Sequence, residues 1–260
     1  MKKIPKIIHY CWFGENEKSD LAKKCIDSWK KILPEYKIIE WNEENFNIYS
    51  NLYVKQAYDA KKYAFVSDYV RLYALYNYGG IYMDTDVEVI KTLDKFLDYD
   101  AFMGFEDDYF CGTGIIGSKK RHLTIKQFLD MYNNLKFINE DGSYNTTTNV
   151  YMITNTLQKY NIQLNNKQQN VKDIEIFPKT VFSPLSFNSD KTDFSETTHT
   201  IHHFEGSWLS DKSKKKLKQQ KKINKIRAIL CKYMSERSVS IILDFKWIIR
   251  NKLYKIIKYK

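Results

Sequence analysis

The pattern of hydrophobic and polar positions predicts a strand, a helix and a second strand in the first 42 residues. The apolar run KIPKIIHYCWFG, residues 3–14, ends at Gly14 and is typical of a strand, and YKIIEWN, residues 36–42, predicts another. A strand–helix–strand order favours an α/β sheet built from parallel units. The helix is predicted between them, over residues 16–34, because apolar side chains recur there at helical spacing and Pro34 follows: Leu21, Cys25, Trp29, Ile32 and Leu33.

Helical and extended patterns continue to about residue 210. Residues 54–78 predict one helix, which Gly79-Gly80 ends, and IYMDTDVEV, residues 81–89, predicts the strand after it. No internal repeat interrupts this order. The remaining segments predict strands at 101–107, 112–118 and within 174–185, helices at 122–135 and 150–160, polar loops at 139–150 and 186–200, and a closing segment at 200–209.

Charge is divided unevenly along the chain, whose formal net charge is +11. Residues 211–260 hold 17 Lys and Arg against 3 acidic residues, a net charge of +14. Residues 1–210 hold 25 Lys and Arg against 28 acidic residues, a net charge of −3. We therefore predict two parts, a domain over 1–210 and a basic, amphipathic helical tail over 211–260.

Three interpretations of the basic tail are open: a solvated helical face, a nucleic-acid arm, or a helix on an anionic membrane surface. Trp247 and many Ile and Leu residues accompany the lysines, which is more apolar surface than a nucleic-acid arm needs. This favours the membrane, and no nucleic-acid partner is expected. No CxxC pair, convincing signal peptide or apolar run of membrane-spanning length is present, so we expect a cytoplasmic protein, peripheral at the inner face of the membrane.

Two acidic residues, Asp84 and Asp86, interrupt the predicted strand at 81–89, and Glu88 follows in the same phase. Side chains alternate along a strand, so the two aspartates would share one face, where a divalent cation such as Mn²⁺ or Mg²⁺ would compensate their repulsion. The alternative is an exposed edge strand. Asp68 and Arg71, three residues apart on the preceding helix, would also share a face, as part of the site or as a surface ion pair.

The segment SDYVRLYALYNYGGIYMDTDV, residues 67–87, closely resembles the signature of glycosyltransferase family 32, which includes bacterial capsular and exopolysaccharide enzymes. It is also similar to the glucosylating domains of large clostridial toxins. IPKIIHYCWFG near the start and HHFEGSW near residue 205 extend the resemblance over about residues 1–210. It implies a GT-A fold, with an α/β nucleotide-binding sheet, and transfer of a hexose or N-acetylhexosamine from a UDP-sugar with retention of configuration.

The resemblance assigns donor-binding roles to residues near the first strand and the DXD motif. Trp12 matches the aromatic residue that stacks on uracil, although a core tryptophan is the alternative. Asp68 and Arg71 match residues that grip the sugar and phosphate region, for which the planar fork of arginine is suited. Tyr82 matches the aromatic residue two positions before the motif. Asp84 is expected to contact the ribose or the donor sugar, directly or through a water on the metal.

The resemblance also assigns metal-binding and closing roles. Asp86 is expected to ligate the cation directly, and a histidine of HHFEGSW to complete its coordination. We choose His203, with His202 in reserve, because a His-x-x-Gly spacing starts at His203. Ordinary surface histidines are the alternative. The Ser207 hydroxyl and the Trp208 indole N–H are donors suited to a diphosphate oxygen.

Several positions depart from the family pattern. The stretch where many relatives have Gly-Pro is NTTTNVYMIT here, with Thr148 and Asn149 as weak candidates for contacts with donor or acceptor. Glu106, Asp107 and Asp108 could contact an acceptor, although we expect the last two to be loop acids. Glu88 matches no family position and is expected to be peripheral. No carboxylate stands out as a glycosyl nucleophile, which is compatible with same-side attack in which the acceptor and the leaving phosphate share a proton.

These features favour the hypothesis of a metal-dependent, retaining glycosyltransferase that extends a glycan in capsule or exopolysaccharide synthesis. If the basic tail binds a membrane, that glycan would be lipid-linked. A toxin-like effector that glycosylates a protein would share every motif. A nucleic-acid-associated metal phosphohydrolase would require more carboxylate or histidine ligands near Asp84 than the sequence offers.

Overall fold

A computed structural model describes residues 3–186 and 192–206, together with positions 212, 215–216, 218–219 and 222–223. By spatial proximity the chain divides into one unit of residues 1–186 and 192–208 and a second of 187–191 and 209–260. The predicted boundary after residue 210 stays a prediction. The amphipathic face expected over 241–257 lies outside the described residues.

Between residues 3 and 206, the described residues form nine strands, six α-helices and two 3-10 helices, Ile48–Ser50 and Asp94–Phe96. The strands are β1 (Ile7–Cys11), β2 (Lys37–Trp41), β3 (Gly80–Met83), β4 (Val87–Val89), β5 (Ala101–Phe105), β6 (Cys111–Ser118), β7 (Gln169–Val171), β8 (Ile174–Phe177) and β9 (Thr200–His202). The helices are α1 (Asp20–Ile32), α2 (Leu52–Asp59), α3 (Tyr63–Tyr78), α4 (Leu123–Asp130), α5 (Asn149–Gln158) and α6 (Lys179–Phe182).

Seven strands form a mixed central sheet in the order β2-β1-β3-β6-β5-β8-β7, and β4 pairs with β9 in a second, two-stranded sheet. β1 runs parallel to β2 and to β3, as the strand–helix–strand pattern predicted. β6 runs antiparallel to both β3 and β5, so the sheet also contains antiparallel pairs that the pattern did not predict. The mixed sheet with flanking helices confirms the predicted α/β class.

Two apolar clusters cover opposite faces of the central sheet. Within β3, Tyr82 belongs to the cluster with α2, α3, α4 and α5, whereas Ile81 and Met83 belong to the cluster with α1 and α6. Alternation along the strand therefore sends successive side chains into different layers. No helix in the described part of the chain is long and apolar enough to cross a membrane.

Helix α1 shows why the sequence pattern succeeds where it is regular. The Ser19 hydroxyl caps the helix by accepting a hydrogen bond from the Ala22 N–H at 3.1 Å. Cys25 and Trp29 lie one turn apart and are buried. The Trp29 indole N–H also donates to the Val87 carbonyl at 2.7 Å, which ties α1 to β4.

Two predicted elements are each divided in the structure. The helix predicted over 54–78 is α2 and α3, separated at Lys61, whose φ of 57° is left-handed. No Gly or Pro marks this break, so the sequence pattern does not reveal it. The strand predicted over 81–89 is β3 and β4, separated by a turn that contains both aspartates. Aspartate is unfavourable in strands, which agrees with this division.

His9, on β1, makes hydrogen bonds to β2 and to the residue that precedes β3. It is fully buried, its Nε2 lies 2.8 Å from the Gly79 carbonyl oxygen, and its Nδ1 lies 3.1 Å from Trp41 Nε1. Because the Trp41 indole N–H can only donate, Nδ1 is the acceptor and Nε2–H donates to Gly79. Burial lowers the pKa of His9 to about 4. The hydrogen bond to Gly79 raises the pKa but only partly offsets the effect of burial.

Candidate functional site

The DXD motif forms the turn that leads from the central sheet to the two-stranded sheet. The Val87 N–H donates to the Asp84 carbonyl at 3.0 Å and closes the turn, and the Asp84 N–H donates to the Gly114 carbonyl at 2.8 Å. The prediction that alternation along one strand aligns Asp84 with Asp86 is therefore wrong. The turn at the carboxyl end of β3 brings the two side chains together instead.

Asp84, Asp86 and His202 form a group that could hold a metal ion, with their ligating atoms all within 4.8 Å of one another. His202 is placed there because β9 pairs with β4, with His202 opposite Val87. A Cβ on Gly114 would lie only 2.8 Å from His202 Cε1, so glycine is needed beside the group. Two carboxylates and an imidazole fit Mn²⁺, which tolerates a nitrogen ligand more readily than Mg²⁺ does.

Asp86 and His202 hold each other in their charged forms. Their Oδ1 and Nε2 atoms are 3.2 Å apart. Burial opposes both charges, but the attraction between them outweighs it, lowering the pKa of Asp86 to about 2 and raising the pKa of His202 to about 9. A cation would replace the His202 proton as the partner of Asp86, so metal binding is expected to release that proton.

The chain that follows β9 is joined to the same turn. The Glu205 N–H donates to Asp86 Oδ2 at 2.8 Å, and the His203 N–H donates to the Asp86 carbonyl at 3.0 Å. These bonds bring the HHFEGSW motif to the DXD motif, as the resemblance implied. Ser207 and Trp208, the two predicted diphosphate donors, lie outside the described residues, so their roles stay predictions.

The imidazole of His203, our first choice as metal ligand, faces a different partner. Its Nε2 lies 2.8 Å from Glu88 Oε2, and Lys24 Nζ lies 2.8 Å from the same oxygen. The reserve choice, His202, is the histidine grouped with Asp84 and Asp86. Glu88 and His203 instead form an ion-pair network with α1, and neither belongs to the metal-ligating group of the described residues.

Arg71 connects the preceding helix to the DXD motif. Its Nη2 donates to Asp68 Oδ1 at 2.9 Å, and its Nη1 lies 3.2 Å from Asp84 Oδ1. The side chains of Arg71 and Asp68 are only 5% and 12% exposed, so this is not the surface ion pair that the spacing also allowed. Arg71 Nη1 further donates to the Thr113 carbonyl at 2.7 Å. One guanidinium therefore links α3, the DXD turn and β6.

Tyr82 supports both charged partners. Its hydroxyl donates to Asp84 Oδ1 at 2.8 Å, and the Arg71 guanidinium lies 4.5 Å from the centroid of its ring. Burial acts to lower the pKa of Arg71, but the charge of Asp84 and its other acidic neighbours raises it above its ordinary value. Burial raises the pKa of Asp68 to about 7, with Arg71 opposing the rise.

Trp12 lies directly after β1 and is half-buried, so it is neither a core tryptophan nor a fully exposed one. Its indole N–H donates to the Asn16 carbonyl at 2.7 Å, and Lys18 Nζ lies 5.4 Å from its ring centroid. Its predicted stacking on a base stays a prediction.

Thr113 and Asn149 form a buried pair beside Arg71. The sequence analysis named Asn149 as a candidate for a donor or acceptor contact but did not identify Thr113. The Thr113 hydroxyl donates to Asn149 Oδ1 at 2.8 Å, beside the Arg71 contact on β6, and both residues are buried. Among the described residues, Asn149 Nδ2 has no hydrogen-bond partner. Thr148, the other candidate in this stretch, is the N-cap of α5. The repeated glycines of GTGIIG were the available signal, because they mark a strand with close neighbours.

Comparison with known families shows what this part of the chain is similar to. Residues 19–103, which contain α1, α3 and the DXD turn, match the family described as glycosyltransferase sugar-binding region containing DXD motif. The match covers 85 of the 260 residues, and it states what this part of the chain is similar to. The resemblance inferred from the motifs is confirmed to that extent, and the matched range includes Asp68, Arg71, Asp84 and Asp86.

The chain is also similar to curated fungal proteins. Inositol phosphoceramide mannosyltransferase 1 of Schizosaccharomyces pombe is 30% identical over 130 residues, which is 44% of this chain and 40% of that protein. Mannosyl phosphorylinositol ceramide synthase CSH1 of Saccharomyces cerevisiae is 31% identical over 130 residues, 46% of this chain and 32% of that protein. The similarity thus spans two fifths or less of the length of these relatives.

Solved structures with similar folds include glycosyltransferases at low sequence identity. A glycosyltransferase involved in the glycosylation of the major capsid of PBCV-1 is 12% identical, with a TM-score of 0.44, over 83% of this chain and all of that one. The galactosyltransferase LgtC is also 12% identical, with a TM-score of 0.41, over 82% of this chain and 94% of that one. Both TM-scores are below 0.5, so the α/β fold class is assigned from the strand order of the central sheet and not from these structures.

Proposed function

We propose that the protein is a metal-dependent glycosyltransferase that moves a sugar from a nucleotide-sugar donor to a glycan acceptor. The observation that carries this proposal is the group of Asp84, Asp86 and His202, with Arg71 bonded to Asp84. Asp84, Asp86 and Arg71 lie within the residues that match the DXD sugar-binding region. This arrangement combines a cation site with a buried guanidinium, both of which suit the diphosphate of a nucleotide sugar.

Each residue of the group has a distinct task in this proposal. Asp84, Asp86 and His202 would hold Mn²⁺ or Mg²⁺, which when bound supplies positive charge against the diphosphate leaving group. Arg71 adds a second, fixed positive charge, because its contacts with Asp68 and the Thr113 carbonyl leave it little freedom to move. Such pre-arranged charges need no reorganisation during the reaction.

The finer features of the donor reaction belong to the same proposal. We infer a UDP-sugar donor whose base stacks on Trp12 and whose diphosphate is closed over by Ser207 and Trp208. Asp68 and Tyr82 act on the donor side, Asp68 through the sugar and Tyr82 through its bond to Asp84. We also infer retention of anomeric configuration, which follows from the family resemblance and which stereochemical analysis of the product tests directly.

The acceptor that we propose is a lipid-linked glycan of capsule or exopolysaccharide synthesis. Two observations support a lipid. The names of the fungal relatives contain inositol phosphoceramide or phosphorylinositol ceramide, and residues 211–260 carry a net charge of +14 that suits an anionic membrane surface. The protein would then work at the cytoplasmic face of a membrane. A protein acceptor, as for a toxin-like effector, remains the alternative that acceptor assays separate.

The proposal is tested by incubating the protein with a panel of UDP- and GDP-sugars and Mn²⁺ and measuring sugar release. We expect hydrolysis of at least one UDP-sugar, and UDP with Mn²⁺ should raise the melting temperature because it binds the native state. Asp86→Asn should abolish both effects. Glu88→Gln is the matched control, since Glu88 lies two residues away, outside the metal-ligating group. Undiminished turnover by Asp86→Asn would contradict the proposal.

A further inference from the structure

The beginning of strand β6 and the beginning of helix α5 lie side by side next to the site. The Thr113 hydroxyl donates to Asn149 Oδ1 at 2.8 Å, and the Cys111 N–H donates to Thr154 Oγ1 at 3.0 Å. The Thr113 carbonyl also accepts a hydrogen bond from Arg71 Nη1 at 2.7 Å. These two chain segments therefore lead from Arg71 toward the loop that precedes β6.

Two exposed tyrosines lie on these segments, which we call the β6–α5 strip (residues 106–113 and 148–154). Tyr109 precedes β6 and is 67% exposed, and Tyr151 lies in the first turn of α5 and is 50% exposed. Among the described residues, neither side chain has an aromatic contact or a hydrogen bond through its hydroxyl. Single exposed aromatic residues are ordinary. A pair on two adjoining segments beside a candidate active site is a more specific feature.

The hydrogen bonds of α5 show which way Tyr151 faces. Tyr151 and Thr154 are three residues apart in the helix, so they lie on the same side of it. Thr154 is the residue that bonds to β6. Thr156 lies on another side, where its hydroxyl is 3.2 Å from Sδ of Met131, at the end of α4. Tyr151 therefore stands on the side of α5 that faces β6 and Tyr109.

Both rings are within reach of a glycan that ends at the DXD turn. Four residues of extended chain, from Thr113 to Tyr109, span about 14 Å at most. Along α5, the rise from Asn149 to Tyr151 is only about 3 Å. Thr113 is in turn bonded to Arg71 at the DXD motif. A short oligosaccharide with one end at the reacting atoms is therefore long enough to contact both tyrosines.

The charge of the strip and its flanking residues is of one sign. Residues 101–118 and 137–158 contain no Lys or Arg, although the whole chain has 42 of them. Their charged residues are all acidic: Glu106, Asp107, Asp108, Glu140 and Asp141. Carboxylates in this position repel a phosphate or carboxylate group of a ligand. The strip therefore suits a ligand without negative charge.

The acids of the loop before β6 have different surroundings. Asp107 Oδ1 accepts hydrogen bonds from the N–H groups of Tyr109 and Phe110, both at 2.8 Å, and so holds the turn that carries Tyr109. Burial raises the pKa of Glu106 to about 7. Asp108 is exposed, and its carboxylate oxygens are acceptors suited to sugar hydroxyls.

We propose that the β6–α5 strip binds the acceptor of the transferase and that the part of the acceptor bound there is an uncharged glycan. Tyr109 and Tyr151 contact the C–H faces of its sugar rings, because a tyrosine ring offers an apolar face with a polar tip. Asp108 accepts hydrogen bonds from the sugar hydroxyls. This inference rests on the function proposed above, and the lipid of a lipid-linked acceptor would lie beyond the strip.

The experiment measures sugar transfer by the full-length protein with Mn²⁺ and whichever UDP- or GDP-sugar it hydrolyses fastest. The acceptor probes are lactose, maltose and trehalose, each compared with its 6-phosphate. At least one neutral disaccharide should accept sugar, and its 6-phosphate should be a much poorer acceptor. Tyr109→Ala and Tyr151→Ala should each raise KM for that disaccharide about 5- to 10-fold, as expected for the loss of one ring contact. Tyr109→Phe and Tyr151→Phe keep the ring and should stay within twofold of the wild type.

Tyr49→Ala is the matched control, because it removes a tyrosine that is 76% exposed in the 3-10 helix Ile48–Ser50, outside the strip, and should leave KM within twofold. Stabilisation by UDP and Mn²⁺ should be the same in all variants, which shows an intact donor site. Three results overturn this inference but leave the transferase proposal standing: no neutral acceptor despite donor hydrolysis, equal use of the 6-phosphates, or an unchanged KM in either alanine variant. Absence of both hydrolysis and transfer by the wild type overturns both proposals.

Discussion

At the scale of single residues, the site depends on one carboxylate with several partners. Asp86 pairs with His202, accepts the Glu205 N–H and contributes to the metal-ligating group. His202 occupies the space above Gly114, where a methyl group would collide with its ring. The position of His202 therefore depends both on glycine at position 114 and on the attraction of His202 to Asp86.

We predict that Gly114→Ala displaces His202 and weakens binding of Mn²⁺ with UDP. The added Cβ would lie 2.8 Å from His202 Cε1, so one of the two must move. Gly104→Ala is the control, because its Cβ would approach Phe182 Cδ2 to a similar 2.9 Å, in the core rather than in the site. Both variants should melt at lower temperature, but only Gly114→Ala should lose the rise in melting temperature on adding Mn²⁺ and UDP.

We predict that His9 makes the protein less stable as the pH falls. Its pKa is lowered from 6.5 to about 4 in the fold, so the unfolded chain binds the proton first. Stability from neutral His9 is complete above pH 6.5 and is lost as the pH falls toward 4. The loss between pH 7 and pH 5 should be about 2 kcal/mol.

Urea unfolding of the wild type and of His9→Gln at both pH values measures this contribution. Asp68 and Glu106 titrate in both proteins, so the difference between their pH dependences isolates His9. The wild type should lose more free energy of unfolding than His9→Gln over this interval. Equal losses in the two proteins would show that His9 is not responsible.

At the scale of elements, Thr148 connects a helix end to the site. Its side chain accepts the Tyr151 N–H and caps α5, whose first residue, Asn149, bonds to Thr113. We predict that Thr148→Ala lowers the free energy of unfolding by about 0.5–1 kcal/mol, whereas Thr148→Ser retains the cap and most of that stability. Chemical denaturation measures both. If instead Thr148→Ser were as unstable as Thr148→Ala, the cap would not be the cause.

Sequence patterns located correctly the elements whose start, end and buried face are determined by residues within the element itself. Helix α1 has a cap, buried side chains at helical spacing and a proline after its end, all within one segment. The break at Lys61 has no comparable signal, because a left-handed lysine is held by surrounding structure and not by its own chemistry. Likewise, β6 runs antiparallel to its neighbours for reasons of packing that no short pattern contains.

The candidate site was predictable where its residues are close in sequence. Asp68, Arg71, Tyr82, Asp84 and Asp86 lie within one segment. Helical spacing paired Asp68 with Arg71, and the family resemblance carried by that segment joined them to the DXD motif. The choice between His202 and His203 was different, because it depends on the register of β9 against β4. A shift of one residue in that register exchanges which side chain meets the turn, and the sequence does not specify it.

At the scale of the whole molecule, charge separates a slightly acidic domain from a strongly basic segment. We predict that residues 211–260 bind anionic vesicles of phosphatidylglycerol and phosphatidylcholine but not neutral vesicles of phosphatidylcholine alone. Replacing Lys214, Lys215 and Lys216 with Gln in the full chain should weaken binding roughly 100-fold, at about 1 kcal/mol per lysine.

Co-sedimentation at several vesicle concentrations measures this affinity. The matched control replaces three exposed lysines of the domain, Lys136, Lys159 and Lys167, with Gln, which changes net charge equally. That control should bind vesicles nearly as well as the wild type. Equal weakening in both variants would assign the effect to overall charge and not to the basic tail.

The pairing of β9 with β4 has a consequence for protein synthesis. Asp86 and Glu205, which bond directly, are 119 residues apart along the chain. A nascent chain on the ribosome therefore carries both aspartates long before His202 is made. Most strands of the central sheet can assemble during that interval, but a cation can gain its third ligand only after β9 emerges. Competence for catalysis would therefore arise only when this short strand reaches a turn that was made much earlier.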